Sequence, residues 1–455
     1  MSEYLYSYLH AKSHISRAIN KMEILLSAVG VITLILLVLG LGVWVFSGLA
    51  IVALLSLILI GDVSLDRSGA ILSRIIFRSA NSWELSAIPL FILMGELIFR
   101  SDISDRLFRG LEPWTKKIPG GILHTNVFGC ALFAAVSGSS AATTATVGKI
   151  TTTELKKRGY DRDLSVGSLA GAGSLGLLIP PSLVMIVYGI QSEVSISKLF
   201  MAGVLPGVLI AALYSGYIIF RAILNPSLCP PEQSHTASKL ESLVLLLPVI
   251  SLIVIVMGAI YTGIATPSEA AAVGVFATVI ILIKERQLSF KMIQEAMIAT
   301  LLSSTMVCSI LVSAALLSTA MGFLHLPSEL AGYIASLDLT PAFLLLALAI
   351  FYIILGLFLD GISITVMSLP ITLPIVIQAG FDPIWFGVFL VILIELGQIT
   401  PPVGFNLFVL QGLTGEKIGK VAKAAFPFFL LMCLAAFILC LVPEIALWLP
   451  NALSN

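Results

Sequence analysis

The sequence predicts an all-α integral membrane protein, built as an inverted-topology repeat with two re-entrant helical hairpins and two broken helices. Three observations carry this reading. First, 58% of the 455 residues are hydrophobic and 11% are charged, whereas soluble domains devote about a quarter of their residues to charge. Second, nearly charge-free stretches of bilayer-crossing length recur along the chain, as a hydrocarbon core of about 30 Å requires. Third, one pattern is written twice. Val136-Ser137-Gly138-Ser139-Ser140, Gly159-Tyr160-Asp161 and Gly176-Leu177-Leu178-Ile179-Pro180-Pro181-Ser182 form the first copy. Leu359-Asp360-Gly361-Ile362-Ser363, Gly380-Phe381-Asp382 and Gly397-Gln398-Ile399-Thr400-Pro401-Pro402-Val403 form the second. The Gly-aromatic-Asp and Pro-Pro landmarks repeat at a constant 221 residues, and the tips, aligned on Ser137-Gly138 and Asp360-Gly361, at 223. Paired Gly/Pro interruptions in the two halves of a membrane chain point to a transporter's binding site. Backbone leaves the helix at membrane depth only inside protein or beside a wet cavity.

The elements follow in order. Met1 to Lys21 is a mixed polar, amphipathic extension (1–21) without the pattern of a cleavable leader. Met22 to Ile60 is too long for one span at about 1.5 Å per residue, so it divides at Gly40-Leu41-Gly42. With a short span at Leu85 to Ile98 it makes a first scaffold portion, 22–99. Arg100 to Ile118 carries Arg100, Arg106, Arg109, Lys116 and Lys117 and is expected to lie flat on the cytoplasmic face as an amphipathic arm, 100–121. Ile122 to Val136 then reaches the first tip and Ala141 to Leu155 returns. Fifteen helical residues cover roughly 22 Å, short of a crossing, so the pair is re-entrant, with basic residues at both feet.

Leu164 to Leu178, the Ile179-Pro180-Pro181-Ser182 break and Leu183 to Ile190 complete the first half of a transport domain, 122–192. Scaffold helices and a second arm occupy 193–340: Leu199 to Ile219, the polar loop Asn225 to Ser242, Leu243 to Ile260, Ala270 to Ile283, a long span ending near Phe323, and the acidic arm His325 to Leu339. Pro341 to Leu359 and Ser363 to Ala379 make the second hairpin. Ile384 to Ile399 and Val403 to Leu410 make the second broken helix, closing the second half of the transport domain, 341–412. A single span, Phe426 to Trp448, ends the chain within 413–455.

Charge sets the orientation. Lysine and arginine flank the first hairpin, and none occurs from Met292 to Glu416. By the positive-inside bias one hairpin enters from the cytoplasm and the other from outside. Asp62 to Asn81 stands against this bias, since symmetry puts it outside although it holds Arg67, Arg74 and Arg78. The formal net charge is zero and no basic stripe is present, which excludes a nucleic-acid partner. The cysteines Cys130, Cys229, Cys308, Cys433 and Cys440 are scattered and read as apolar fillers.

A helix broken at mid-membrane exposes carbonyls at one new end and N–H groups at the other. The carbonyls suit a small hard cation and the N-termini an anion such as a carboxylate. Gly138 and Gly361 are placed to permit tight reversals. Pro180 and Pro401 remove a backbone donor and keep the preceding residue out of α geometry. Hydroxyls of Ser137, Ser139, Ser140, Ser182, Ser363 and Thr400 can add ligands or satisfy backbone groups; Ser140, Ser182, Ser363 and Thr400 are also candidate substrate contacts. Asp360 and Glu395 are the acids nearest the second break, and an ionisable group inside a span is a functional candidate. Glu96 and His124 lie at the boundaries, within reach of water.

With these residues in view, the chain from about Leu25 onward resembles the large membrane subunit of tripartite ATP-independent periplasmic (TRAP) transporters. The resemblance rests on Ile88-Pro89-Leu90-Phe91-Ile92-Leu93-Met94-Gly95-Glu96-Leu97, the run Val136 to Ala142, Ile179 to Ser182, Gly263 to Gly274, and Gly397 to Gly404. It implies an elevator-type, sodium-driven importer of organic acids in a bacterial inner membrane, with no organic cofactor. It also implies a periplasmic substrate-binding protein that delivers the substrate and a separate small four-helix membrane subunit. The family's sodium-site regions fall on Ser137, Gly138, Ser139 and Ser140 with Ile179, Pro180 and Ser182, and on Asp360 and Gly361 with Gly397, Thr400 and Pro401.

Two rivals are weighed beside it. A stand-alone sodium- or proton-coupled dicarboxylate carrier of similar design would act without a binding protein. An intramembrane enzyme would need a nucleophile with a base, a metal motif or paired acids; the chain has neither H-E-x-x-H nor G-x-S-x-G.

Overall fold

A computed structural model describes residues 29–230, 239–335, 340–402 and 404–453, apart from 32, 36 and 39. The Met1 to Lys21 extension, residues 231–238 of the polar loop, the end of the acidic arm and Val403 lie outside the described residues. Every regular element among the described residues is helical. By length and composition, seven helices among the described residues are able to cross a membrane, or up to eight if a bent pair counts as one span.

Helix to residue 40, a turn, and α1 (Val45–Leu55) confirm the division at Gly40-Leu41-Gly42, with Gly42 at φ +78°. Asp62 to Asn81, left without an element by the sequence reading, contains the amphipathic helix α2 (Leu65–Ala80). The short span is α3 (Ala87–Phe99) and the basic arm is α4 (Ile103–Thr115). α4 buries Ile103, Leu107, Phe108 and Leu111 and turns its charges outward. Its apolar face is thus covered by protein.

The first hairpin is α5 (His124–Ser137) and α6 (Ser140–Lys157). The first broken helix is α7 (Arg162–Gly173), the single turn α8 (Leu175–Leu178) and α9 (Leu183–Ser192). Then come α10 (Ile196–Leu224), α11 (Lys239–Tyr261), α12 (Pro267–Lys284), α13 (Phe290–Phe323) and α14 (Leu326–Ala335). α12 starts in a capping box: Thr266 Oγ1 accepts from the Glu269 N–H while Glu269 accepts from the Thr266 N–H, with Pro267 at the first helical position. The run Gly263 to Gly274 is therefore a helix start.

The second hairpin is α15 (Pro341–Gly356) and α16 (Gly361–Gln378), and the second broken helix is α17 (Pro383–Gln398) and α18 (Phe405–Thr414). The terminal span differs from expectation. α19 (Ile418–Leu441) begins earlier than Phe426 and stops at Leu441, and α20 (Glu444–Leu453) follows. The cause is Pro443, which has no N–H for the ladder and restricts Val442 before it.

The chain divides into two compact units. One comprises the described residues of Met1–Ser82 with Cys308–Leu345 and Val366–Asp382. The other comprises Trp83–Val307, Leu346–Thr365 and Pro383–Asn455. The second unit holds both hairpin tips and both helix breaks, together with a core that includes Phe91, Phe133, Tyr188, Phe200, Tyr214, Trp385, Phe386 and Phe428.

Candidate functional site

The two copies keep one register through the site. α6 runs from 140 to 157 and α16 from 361 to 378; α7 opens at 162 and α17 at 383. Each pair of bounds differs by 221, the spacing of the Pro-Pro pairs. The capping residues follow suit. Ser139 caps α6, its Oγ accepting from the Ala142 N–H at 3.4 Å. Asp360 caps α16, its Oδ2 accepting from the N–H groups of Ile362 at 3.1 Å and Ser363 at 3.2 Å. Asp360 is thus the counterpart of Ser139, and the two-residue discrepancy read from the sequence disappears. A carboxylate at a helix N-terminus satisfies orphan amides and complements the dipole.

The glycines at the tips do different work. Gly138 has φ +63° and ends α5 in the left-handed conformation. Gly361 does not make the reversal expected of it. It is the first residue of α16, and a Cβ there would meet Ile394 Cγ2 at 3.0 Å, Leu177 Cδ1 at 3.1 Å and Gln398 Nε2 at 3.2 Å. Close approach is what fixes a small residue at 361.

The first tip and first break meet directly. The Leu183 N–H donates to the Gly138 carbonyl at 3.3 Å, and a Cβ on Gly138 would lie 2.9 Å from the Pro181 oxygen. Gly176 lies against the backbone of Ser139 and Ser140. Ile179 leaves the helix with φ −80° and ψ 124°, as the residue before a proline should. The Pro180-Pro181 and Pro401-Pro402 bonds are both cis. Prolines at 180 and 181 remove the donors that would close bonds to the Gly176 and Leu177 carbonyls, and those at 401 and 402 do the same for Gly397 and Gln398. The Thr400 N–H turns to the Gly397 carbonyl at 3.1 Å.

At the second break, Gly397 lies against Gly356 of α15, backbone on backbone, and Gly404, at φ +50°, folds back on the Thr400 and Gln398 carbonyls. No hydrogen bond among the described residues joins Asp360 to Thr400 or Pro401. Pro180, Pro181 and Ser182 of the first break are buried, whereas Pro401 and Pro402 are exposed.

Most of the candidate hydroxyls are engaged locally. Ser137 Oγ and Thr143 Oγ1 share a hydrogen bond of 2.9 Å. Ser182, fully buried, caps α9 by accepting from the Met185 N–H at 3.3 Å. Ser363 Oγ donates to Asp360 Oδ1 at 2.5 Å. Thr400 Oγ1 donates to the Leu396 carbonyl at 2.6 Å, leaving its lone pairs available. Ser140 reaches across the repeat, donating to Gln398 Oε1 at 3.0 Å. Glu395, 1% exposed, accepts from Asn406 Nδ2 at 3.4 Å, which ties the two halves of the second broken helix together.

Gln398 and Asn406 are absent from the sequence-derived site. Gln398 had one signal: an amide three residues before a proline pair, where the first copy has Leu177. Asn406 had none, since its counterpart is Met185 and nothing local marks the position.

Charged groups border the unit. Arg158 at the foot of α6 pairs with Glu112 of the arm at 2.6 Å and with Glu154 at 3.0 Å. Arg106 pairs with Glu285 at 2.7 Å. Arg162 and Lys420 hold the Glu416 carboxyl below the usual carboxylate range, Lys420 foremost.

Comparison with known proteins agrees with this architecture. Residues 31–445 match the family described as tripartite ATP-independent periplasmic transporter, DctM component. The chain is 34% identical over 391 residues to the C4-dicarboxylate TRAP transporter large permease of Pseudomonas aeruginosa, covering 83% of this chain and 89% of that one. It is 31% identical over 413 residues to the isethionate TRAP transporter permease DctMQ of Oleidesulfovibrio alaskensis, covering 90% of this chain and 64% of that protein. Among solved structures, the YdaH transporter of Alcanivorax borkumensis shares the fold, with TM-score 0.59 and 14% identity over 84% of this chain and 88% of that one. MtrF of Neisseria gonorrhoeae does so too, with TM-score 0.62 and 14% identity over 84% and 85%. The chain belongs to the DctM-component family of tripartite ATP-independent periplasmic transporters, and it is a multi-pass membrane permease, not an enzyme.

Proposed function

We propose that this chain is the large permease of a sodium-coupled importer that carries an organic acid across a bacterial inner membrane. The observation that carries the proposal is the meeting, inside one compact unit, of two hairpin tips and two proline-broken helices in a constant register. Such a unit turns freed carbonyls and helix N-termini inward twice over, the arrangement that holds a hard cation beside a carboxylate. Relatives whose names specify C4-dicarboxylate, isethionate and ectoine support a small organic-acid or zwitterionic substrate. A periplasmic binding protein delivers it and a small four-helix membrane subunit braces the permease.

Sodium is cargo in this scheme. One ion lies at Ser137 to Ser140 with Ile179, Pro180 and Ser182, and one at Asp360 and Gly361 with Gly397, Thr400 and Pro401. Ion binding neutralises the inward carbonyls and makes the site attractive to a carboxylate. The hairpins are re-entrant from opposite faces, and the loaded domain moves against the remaining helices in an elevator motion. At 100 mV each net charge moved is worth about 2.3 kcal/mol, so two sodium ions with a dianion move without help from the potential and two with a monoanion gain one such increment.

The test is uptake into proteoliposomes with the binding protein and small subunit present, varying sodium, potential and substrate. Sodium-dependent accumulation is expected. Accumulation driven by a proton gradient alone, in sodium-free buffer, would reject sodium coupling. The double variant Ser139→Ala with Thr400→Ala should raise the sodium requirement while still folding.

A further inference from the structure

The two copies exchange contacts at one pair of equivalent positions. Leu177 and Gln398 are counterparts, 221 residues apart, as are Ser140 and Gly361, the first helical residues after each tip. Leu177, in the first broken helix, faces Gly361 of the second tip: a Cβ on Gly361 would lie 3.1 Å from its Cδ1. Gln398, in the second broken helix, accepts from Ser140 Oγ of the first tip at 3.0 Å. The amide nitrogen of the same Gln398 is 3.2 Å from the Cβ position of Gly361. One buried side chain, 3% exposed, therefore touches both tips. The symmetric position is filled by a leucine, so the polar contact has been installed in one copy only.

We infer that Gln398 couples the two cation sites, acting as a positioning residue between them. The inference rests on the sodium reading above. An ion that orders Ser137 to Ser140 fixes the Ser140 hydroxyl. That hydroxyl fixes the Gln398 amide, which in turn sets the Gly397 to Thr400 backbone and the space beside Gly361. The ordering cost of the second site is then partly met by filling the first, which is positive cooperativity without a new contact to either ion. A neutral hydrogen bond held between the sites supports a coupling of about fivefold in affinity.

The experiment compares the native protein with Gln398→Met, which fills a similar volume without an acceptor, and Gln398→Leu, which installs the side chain of the counterpart position. Each is assembled with the small subunit and binding protein, checked by thermal melting, and assayed for uptake against sodium concentration. Sodium-induced thermal stabilisation of the detergent-solubilised complex gives a readout without transport. The native curve should be sigmoidal. In both variants the Hill coefficient should fall toward one and the sodium midpoint rise severalfold. Ser140→Ala combined with Gln398→Met should lower the Hill coefficient no further than Gln398→Met alone. A hyperbolic native curve, or an unchanged Hill coefficient in the folded variants, would overturn the coupling and leave sodium dependence standing. Sodium-independent uptake by the native complex would sink the sodium reading itself, and this inference with it.

Discussion

Alanine at Gly397 or Gly176 tests how closely each hairpin packs, backbone on backbone, against the broken helix of its own copy. A Cβ at 397 would lie 2.5 Å from Gly356 Cα and 3.0 Å from the Ile353 carbonyl oxygen. At 176 it would lie closest to the Ser140 Cα, and 2.6 Å from the Ser140 nitrogen and 2.7 Å from the Ser139 oxygen. Ordinary contact begins near 3.4 Å, so the neighbours must withdraw by the difference, about 0.9 Å at 397 and about 1 Å at 176. Those neighbours are backbone and cannot rotate aside. Overpacking of this kind costs about 1–3 kcal/mol, and helix propensity returns about 1 kcal/mol to alanine. With rigid neighbours the net loss is about 2 kcal/mol, or about 30-fold in site affinity if it falls on the tip geometry. Gly216→Ala in α10 is the control, because nothing lies within 4 Å of its Cβ. Thermal melting in detergent and initial uptake rates across a sodium series decide the matter. Gly176→Ala and Gly397→Ala should melt lower and need more sodium, while Gly216→Ala melts at or above native. Indistinguishable behaviour of all three would refute the close approach, and with it the packing of tips against breaks.

Three further outcomes are expected. Asp360→Asn should retain the cap on α16, whereas Asp360→Ala should lose about 1 kcal/mol of stability; equal uptake loss in both would show that the charge matters beyond capping. Asn406→Leu should lower the melting temperature, since it leaves the buried Glu395 carboxyl without its amide donor at a cost of about 1–3 kcal/mol, and Glu395→Gln should be milder. Burial, with the Asp161 carboxylate adding to it, pushes the Cys229 thiol up to about 11. Its alkylation, followed by peptide mass spectrometry, should be about a hundredfold slower at pH 8 than for a free thiol and should climb tenfold per pH unit up to pH 10. In Asp161→Asn the reaction at pH 8 should be faster.

Much of this arrangement was legible because backbone needs are written in few residues. Proline before proline marks a break whatever surrounds it, and the spacing of the Pro-Pro pairs locates the copies without any structure. The register at the tips was misread for a physical reason. Ser137-Gly138 and Asp360-Gly361 look alike as sequence, but a cap is defined by which side chain meets the amides of the first turn, and that residue is Ser139 in one copy and Asp360 in the other. Helix α2 escaped because three arginines on an amphipathic face read as a polar connection. The break at Pro443 was missed because hydropathy runs through a proline that the hydrogen-bond ladder cannot. Gln398 and Asn406 belong to a different class: their roles come from residues 258 and 11 positions away, and only the fold brings those together.

The comparison of the copies also says what the duplication holds constant and what it releases. The bounds of α6 and α16, the starts of α7 and α17, the caps Ser139 and Asp360 and the proline breaks coincide at the 221 spacing. Side chains at matched positions do not: Ser139 against Asp360, Ser174 against Glu395, Leu177 against Gln398 and Met185 against Asn406. In each pair the second copy carries the stronger acceptor or the amide, and that copy lies in the stretch from Met292 to Glu416 that has no lysine or arginine. Burying acids and amides with no basic partner nearby is costly unless something else supplies positive charge or donors. Asp360, half-buried, meets its share of that cost with backbone amides and a serine hydroxyl, and the buried Glu395 draws on an asparagine. The first copy avoids it with hydroxyls and hydrocarbon. In the proposed sodium scheme such inequality is useful, because two sites of unequal field strength would fill and empty in a preferred order, whereas two identical sites would not.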